Sequence, residues 1–128
     1  MTQSNNSQQA SDNVEVIFSE IQQEMGIVPN FFRYQADADP AWLALNWSRW
    51  KQIMGEQRAL DRKTKEIIAL TVSIVNQCDY CHVAHEQAAK MVGVSDAELI
   101  EMQQVIELYS SFNSIATSLR IPLDKSSS

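Results

Sequence analysis

Glycine and proline are scarce, with three of each in 128 residues. Sandwiches and barrels of short strands need many tight turns, so this shortage argues against them. Basic charge is also short. Ten Lys and Arg stand against sixteen Asp and Glu, a formal charge of −6. That balance leaves no electrostatic footprint for nucleic acid or an anionic membrane. No apolar run reaches the length of a membrane span, and Met1 to Asn13 has neither the basic nor the apolar region of a secretory signal. A cytoplasmic location is expected, with neither nucleic acid nor membrane as a partner. Cysteine is limited to Cys78 and Cys81. In a reducing compartment such a pair points to redox catalysis or metal binding before a structural staple.

What the chain does have is helical patterning. Its length suits one domain, and 45% apolar residues can build a core. Residues 1–12, rich in Gln, Asn and Ser, and the Lys125–Ser128 end of a 121–128 tail are expected to be disordered. Between them, over 13–120, apolar residues recur at helical spacing. Val14, Ile17, Phe18, Ile21 and Met25 share one face, and Gly26 follows where a C-terminal cap belongs. Asn30 is expected to cap a short helix carrying Phe31, Phe32 and Tyr34. Asp39-Pro40 reads as an N-cap followed by a first-turn proline. The helix it opens puts Leu43, Trp47, Trp50 and Met54 on one stripe and ends near Gly55. Core packing is the first reading for Phe31, Phe32, Trp47 and Trp50, and a pocket wall the second.

Asp61 caps the next helix. From Ile67 to Val75 the residues are mostly apolar, and periodicity alone fits a buried strand or a buried helix. The lack of partner strands favours helix. Another helix is expected from Cys78 to about Met91, closed by Gly93. Ser95-Asp-Ala-Glu98 is a capping box. It opens a last helix whose apolar positions are Leu99, Met102, Val105, Ile106, Tyr109, Phe112 and Leu119.

At about 100° per residue, Cys78, Cys81, His82 and His85 line one helical face. Cysteines at i and i+3 of a helix have Cα atoms roughly 5–6 Å apart, within the disulfide window. One thiol can therefore attack a substrate and the other resolve the product. A helix beginning at Asn76 would place Cys78 in the first turn, where backbone N–H groups stabilise a thiolate. His85, four residues after Cys81, can take its proton directly or through one water. On one continuous helix Glu66 would point about 120° away from Cys78. A bend near Asn76 is therefore expected, which brings Glu66 to His85 as the orienting group of a nucleophile–base–orienter set.

Other cysteine chemistries fit less well. Cys-Asp-Tyr-Cys-His has the form of a c-type haem attachment site, which normally requires export. Four zinc-type ligands are present, but all on one short helical face, whereas structural zinc sites usually draw on two elements. A thioredoxin-like fold would place the pair after a strand. No cofactor and no metal ligand is assigned.

Glu66 followed by Cys78-x-x-Cys81-x-x-x-His85 resembles the signature of the alkylhydroperoxidase AhpD-like group in the carboxymuconolactone decarboxylase superfamily. Gly26-Ile-Val-Pro-Asn30, Leu60-x-x-x-x-Lys65-Glu66 and Asn76-x-Cys78-x-Tyr-Cys81 are similar to the same group, over about Phe18 to Met102. The resemblance implies an all-α, AhpD-like helical bundle of one domain that assembles as a homo-oligomer, a trimer or hexamer. It implies a relay in which Glu66 and His85 activate Cys81 through water, with Cys78 the more exposed partner. Helix-dipole reasoning instead favours Cys78 as the readier thiolate. The founding members carry a histidine where this chain has Tyr80, and tyrosine does not shuttle protons at neutral pH. The implied activity is hydroperoxide reduction of peroxiredoxin type, cycling through a Cys78–Cys81 disulfide. A lipoyl or thioredoxin-like thiol reductant would restore the dithiol. A protein or lipoyl disulfide reductase and a non-catalytic redox-sensing or metal-binding oligomer are the alternatives.

Overall fold

A computed structural model describes residues 13–125 with their side chains. The backbone of 2–12 is described as well, and it is helical: the stretch expected to be disordered extends the amphipathic helix that follows it towards the N-terminus, which corrects that expectation. Of the other residues expected to be disordered, Lys125 lies in a turn, and Met1 and 126–128 lie outside the described residues. Six α-helices follow in order: α1 (Thr2–Met25), α2 (Asn30–Ala38), α3 (Pro40–Trp50), α4 (Arg62–Val75), α5 (Asp79–Met91) and α6 (Asp96–Ser118). A π-helical turn, Lys51–Gly55, continues α3. Among the described residues there is no strand, as the scarcity of turn formers requires. No described helix is long and apolar enough to cross a membrane. The chain divides into two compact units, one ending at Leu60 and the other beginning at Asp61.

In the first unit the helical stripe of α1 meets α3. Ile21, Phe32, Ala36, Leu43 and Trp47 form the buried core, with Val14, Ile17, Phe18 and Met25 packed against it. Full burial of a side chain such as Ile21 or Leu43 contributes roughly 1.5–3 kcal/mol. Trp47 brings a polar N–H inside with its ring, and that group needs an acceptor. Its Nε1 donates to Glu20 Oε2 at 2.7 Å. The Trp47 ring meets Phe32 edge-on at 5.7 Å and stacks on Trp50 at 4.9 Å. These three aromatics serve packing, while Phe31 stays half exposed. Asp39 caps α3, its carboxylate accepting from the Ala41 N–H at 3.1 Å, with Pro40 at the first helical position. The expected cap at Asn30 is corrected: Pro29 holds the N-cap place of α2, and Asn30 is already helical. The fixed φ of proline near −60° with an extended ψ suits that entry without a side-chain acceptor.

In the second unit Asp61 accepts from the Thr64 N–H at 2.7 Å and starts α4. Ile67 to Val75 is helix. Glu66, Leu70 and Ser73 form its buried stripe, at i, i+4 and i+7. α4 packs closely on α5, whose buried contribution is Ala89. The helix closes at Gly93, with φ +94°, and Val94 turns in beneath it. The capping box at Ser95 and Glu98 is formed in both directions. The apolar positions of α6 have a different fate from those of α1. None of its 23 residues is buried, and Tyr109 and Phe112 are more than half exposed.

Candidate active site

The site is built on the elbow between α4 and α5. Asn76 ends α4, and Gln77 takes a left-handed conformation with φ +57°. The N–H groups of Cys78 and Gln77 then reach back to the carbonyls of Ser73 and Ile74, each at 3.0 Å. These two bonds are a Schellman closure. It turns the chain sharply, so the expected bend near Asn76 is present. Cys78 itself is extended and is the N-cap of α5. It stands one residue before the helix, a correction to its expected place inside the first turn.

Its sulfur does the work that a serine or aspartate oxygen does at other caps: it accepts from the Cys81 N–H at 3.3 Å. The two cysteines are joined as a disulfide, with Cα atoms 5.3 Å apart. Both are partly buried. A hollow of about 310 Å³ opens beside Cys78, between the end of α4 and the first turn of α5, with Ser73, Gln77 and His82 on its walls.

Glu66 lies nine positions before the end of α4, and His85 six positions after the start of α5. Each is therefore roughly 9–14 Å from the elbow along its helix. Folding the helices back on each other brings the two together: His85 Nδ1 lies 3.2 Å from Glu66 Oε2. Glu66 is 1% exposed, and a third of the His85 side chain reaches the surface. Burial pushes the Glu66 carboxyl upward, but hydrogen bonds from His85 and Arg62 outweigh it and hold the group below the usual carboxylate range. An ionised Glu66 only accepts, so Nδ1 carries the hydrogen and Nε2 is the ring nitrogen left to exchange a proton.

Arg62, to which sequence reading assigns no role, completes the cluster. Its Nε and Nη2 both approach Glu66 Oε1 at 3.0 Å. The i, i+4 spacing of Arg and Glu is its signal in the sequence, and that spacing reads as an ordinary surface pair unless Glu66 is buried. His82 is half exposed and turned to Glu86, 3.7 Å away, apart from the Glu66–His85 pair. Tyr80 is also about half exposed. Among the described residues no three His, Cys, Asp or Glu side chains are grouped to hold a metal ion.

Fold and site together define an all-helical protein in which a Cys-x-x-Cys disulfide sits at the start of the helix whose His85 pairs with a buried carboxylate. Residues 36–124 match the carboxymuconolactone decarboxylase family, and the chain belongs to that family. Its structure is similar to the crystal structure of the alkylhydroperoxidase AhpD core from Rhodospirillum rubrum, with a TM-score of 0.83 and 35% identity over 89% of this chain and 85% of that one. It is also 33% identical over 69 residues to uncharacterized protein 4 in the cox locus of Paracoccus denitrificans, covering 54% of this chain. The match spans 58% of that curated relative. The chain is thus AhpD-like in fold, within the wider decarboxylase superfamily.

Proposed function

We propose that the protein is a cysteine-based hydroperoxide reductase, with Cys78, Cys81, His85 and Glu66 as its working residues. The observation that carries this reading is the Cys78–Cys81 disulfide at the start of the helix whose His85 meets the buried Glu66. In the reduced protein His85 takes the Cys81 proton, directly or through water. The Cys81 thiolate attacks the distal peroxide oxygen. An S–O bond forms, the O–O bond breaks, and the alkoxide leaves as an alcohol with the proton that His85 returns. The Cys78 thiolate, supported by the first N–H groups of α5, then attacks the sulfenic sulfur. The S–S bond forms and hydroxide leaves as water. Two thiols and one hydroperoxide give a disulfide, an alcohol and water. A lipoyl or thioredoxin-like dithiol restores the pair by exchange.

With Tyr80 between the cysteines, proton transfer falls to His85 alone. The apolar exposure of α6 supports a homo-oligomer of the trimeric or hexameric kind. We place the reaction in the cytoplasm, where thiol donors are plentiful. The test is alkylation and mass spectrometry of the reduced protein before and after a pulse of cumene hydroperoxide. A Cys78–Cys81 disulfide should form in step with loss of peroxide. Peroxide consumption that persists in the double Cys→Ser variant would refute the class, and persistence in Cys81→Ser would refute the assigned nucleophile. The hollow beside Cys78 favours a second reading, a reductase of lipoyl or protein disulfides. Turnover with a lipoyl disulfide well above turnover with peroxide would select it.

A further inference from the structure

We propose that Arg62 is a positioning residue of the relay: it engages Glu66 Oε1 through Nε and Nη2, so that Oε2 is the oxygen presented to His85 Nδ1. The inference rests on the hydroperoxide-reductase reading for its activity readout, and on geometry for its substance. A carboxylate buried to 1% exposure has two oxygens to satisfy. Arg62 takes Oε1, with both nitrogens at 3.0 Å. His85 takes Oε2 at 3.2 Å. Each oxygen has a separate partner, one from α4 and one from α5. No buried side-chain oxygen or nitrogen among the described residues lacks a partner.

A planar guanidinium has a fixed hydrogen-bond fork, and holding the carboxylate on one side limits its rotation about the terminal torsion. The His85 ring is then held with Nδ1 toward Glu66 and Nε2 facing away from it. Arg62 is itself only 30% exposed in its side chain, so solvent screens this pair less than a free surface pair.

Its positive charge has a second effect. The charged groups around Glu66 are Arg62 on its own helix and His85 from α5. From α6 the acidic group against α4 is Glu98, which is held by Lys63 at 2.8 Å. Removing the Arg62 charge makes the Glu66–His85 pair bind its next proton at higher pH, whichever of the two receives it. A relay that must be deprotonated to accept the Cys81 proton is then silenced from a higher pH downward.

The experiment measures the rate of peroxide-driven disulfide formation against pH in the reduced full chain, for wild type, Arg62→Gln, Arg62→Lys and Glu66→Gln. Arg62→Gln should be slower by about tenfold at neutral pH, less than the ~10²-fold loss typical of a missing acid–base group. Its acid limb should move up by about one pH unit. Arg62→Lys restores the charge without the fork, so its limb should return while its rate stays below wild type. Wild-type rate and limb in both Arg62 variants, with Glu66→Gln slowed, would overturn the role of Arg62 and leave the relay standing. If Glu66→Gln also matches wild type, the relay reading fails and the role of Arg62 fails with it. Should Arg62→Gln not fold, Arg62→Lys decides: a lower rate on an unmoved limb supports the fork, and an unchanged rate refutes it.

Discussion

The backbone N–H of Cys81 donates to the sulfur of Cys78 at 3.3 Å, so the first cysteine of the pair caps the helix that carries the second. Redox chemistry and helix initiation therefore share one atom. A bonded sulfur is a weak acceptor, whereas a thiolate in the same place is a strong one and lies at the positive end of the helix dipole. Reduction should strengthen this cap.

That coupling predicts how substitutions at Cys78 affect stability, separately from activity. Serine is among the best N-cap residues and alanine is poor. Under reducing conditions Cys78→Ser should retain most of the helix cap, while Cys78→Ala should be less stable than Cys78→Ser by about 1 kcal/mol. Both variants should lose the disulfide. Urea denaturation followed by circular dichroism reads the difference, and equal midpoints would show that a side-chain acceptor at position 78 contributes nothing as a cap.

Gln77 holds a left-handed backbone at φ +57°, where the same Schellman closure at the end of α5 uses Gly93 at φ +94°. A side chain in that region carries a cost of about 1–2 kcal/mol, highest for β-branched residues. Gln77→Gly should be neutral or stabilising by up to ~1 kcal/mol, the strain relief being partly offset by greater freedom in the unfolded chain. Gln77→Val should destabilise by roughly 1–2 kcal/mol. Thermal melts of the two variants in the oxidised state should bracket wild type. A Val variant as stable as wild type would contradict the geometry of the elbow.

Legibility of the sequence varied with how local the chemistry was. Asp39, Asp61 and Ser95 were readable as caps because an acceptor side chain and the N–H groups it satisfies lie within three residues. The elbow follows from need, since only a bend brings Glu66 to His85. Its chemistry was hidden because Gln77 fills a position that glycine usually advertises. The role of Arg62 is not legible in the sequence because the burial of Glu66 is a product of helix packing. Asn30 misled for a related reason: it carries the right side chain for a cap, but the constrained proline before it makes the turn. The apolar positions of α6 are legible as helical, yet periodicity does not say whether a face is covered by its own chain or by another.

Glu98 links a helix cap to an ion pair and should leave its mark at low pH. The Lys63 ammonium at 2.8 Å and the Ser95 N–H at 3.0 Å hold its carboxyl down to about 2, from an ordinary 4.5. The folded value lies below the unfolded one. The contribution is therefore present above pH 4.5 and lost as pH falls toward 2. Wild type should be more stable than Glu98→Gln at neutral pH, with the gap closing over that window. Lys63→Met should narrow the gap, and high salt should reduce the Lys63 share. A gap that is constant from pH 6 to pH 2 would exclude the titration of Glu98 as its cause.

The exposed face of α6 makes the oligomer proposed above a matter of measurement. Val105, Leu108, Tyr109, Phe112 and Ile115 are each about half exposed on a helix with no buried residue. A shallow groove of about 410 Å³ runs alongside, between Ile67, Thr71 and Val75 of α4 and Met102, Val105 and Ile106 of α6. Contiguous apolar surface of this kind marks association sites, and aromatic side chains tend to dominate their energetics. Light scattering at micromolar concentration should give a multiple of the monomer mass. Tyr109→Lys and Phe112→Lys should each cost on the order of 2 kcal/mol of association, roughly a 30-fold weaker constant, and shift the mass toward the monomer. Leu123→Lys is the control: that residue is 91% exposed and lies beyond the helix, so its substitution should leave the mass unchanged. A wild-type monomer at high concentration would refute the assembly. Intact oligomers in both α6 variants would move the interface to another surface.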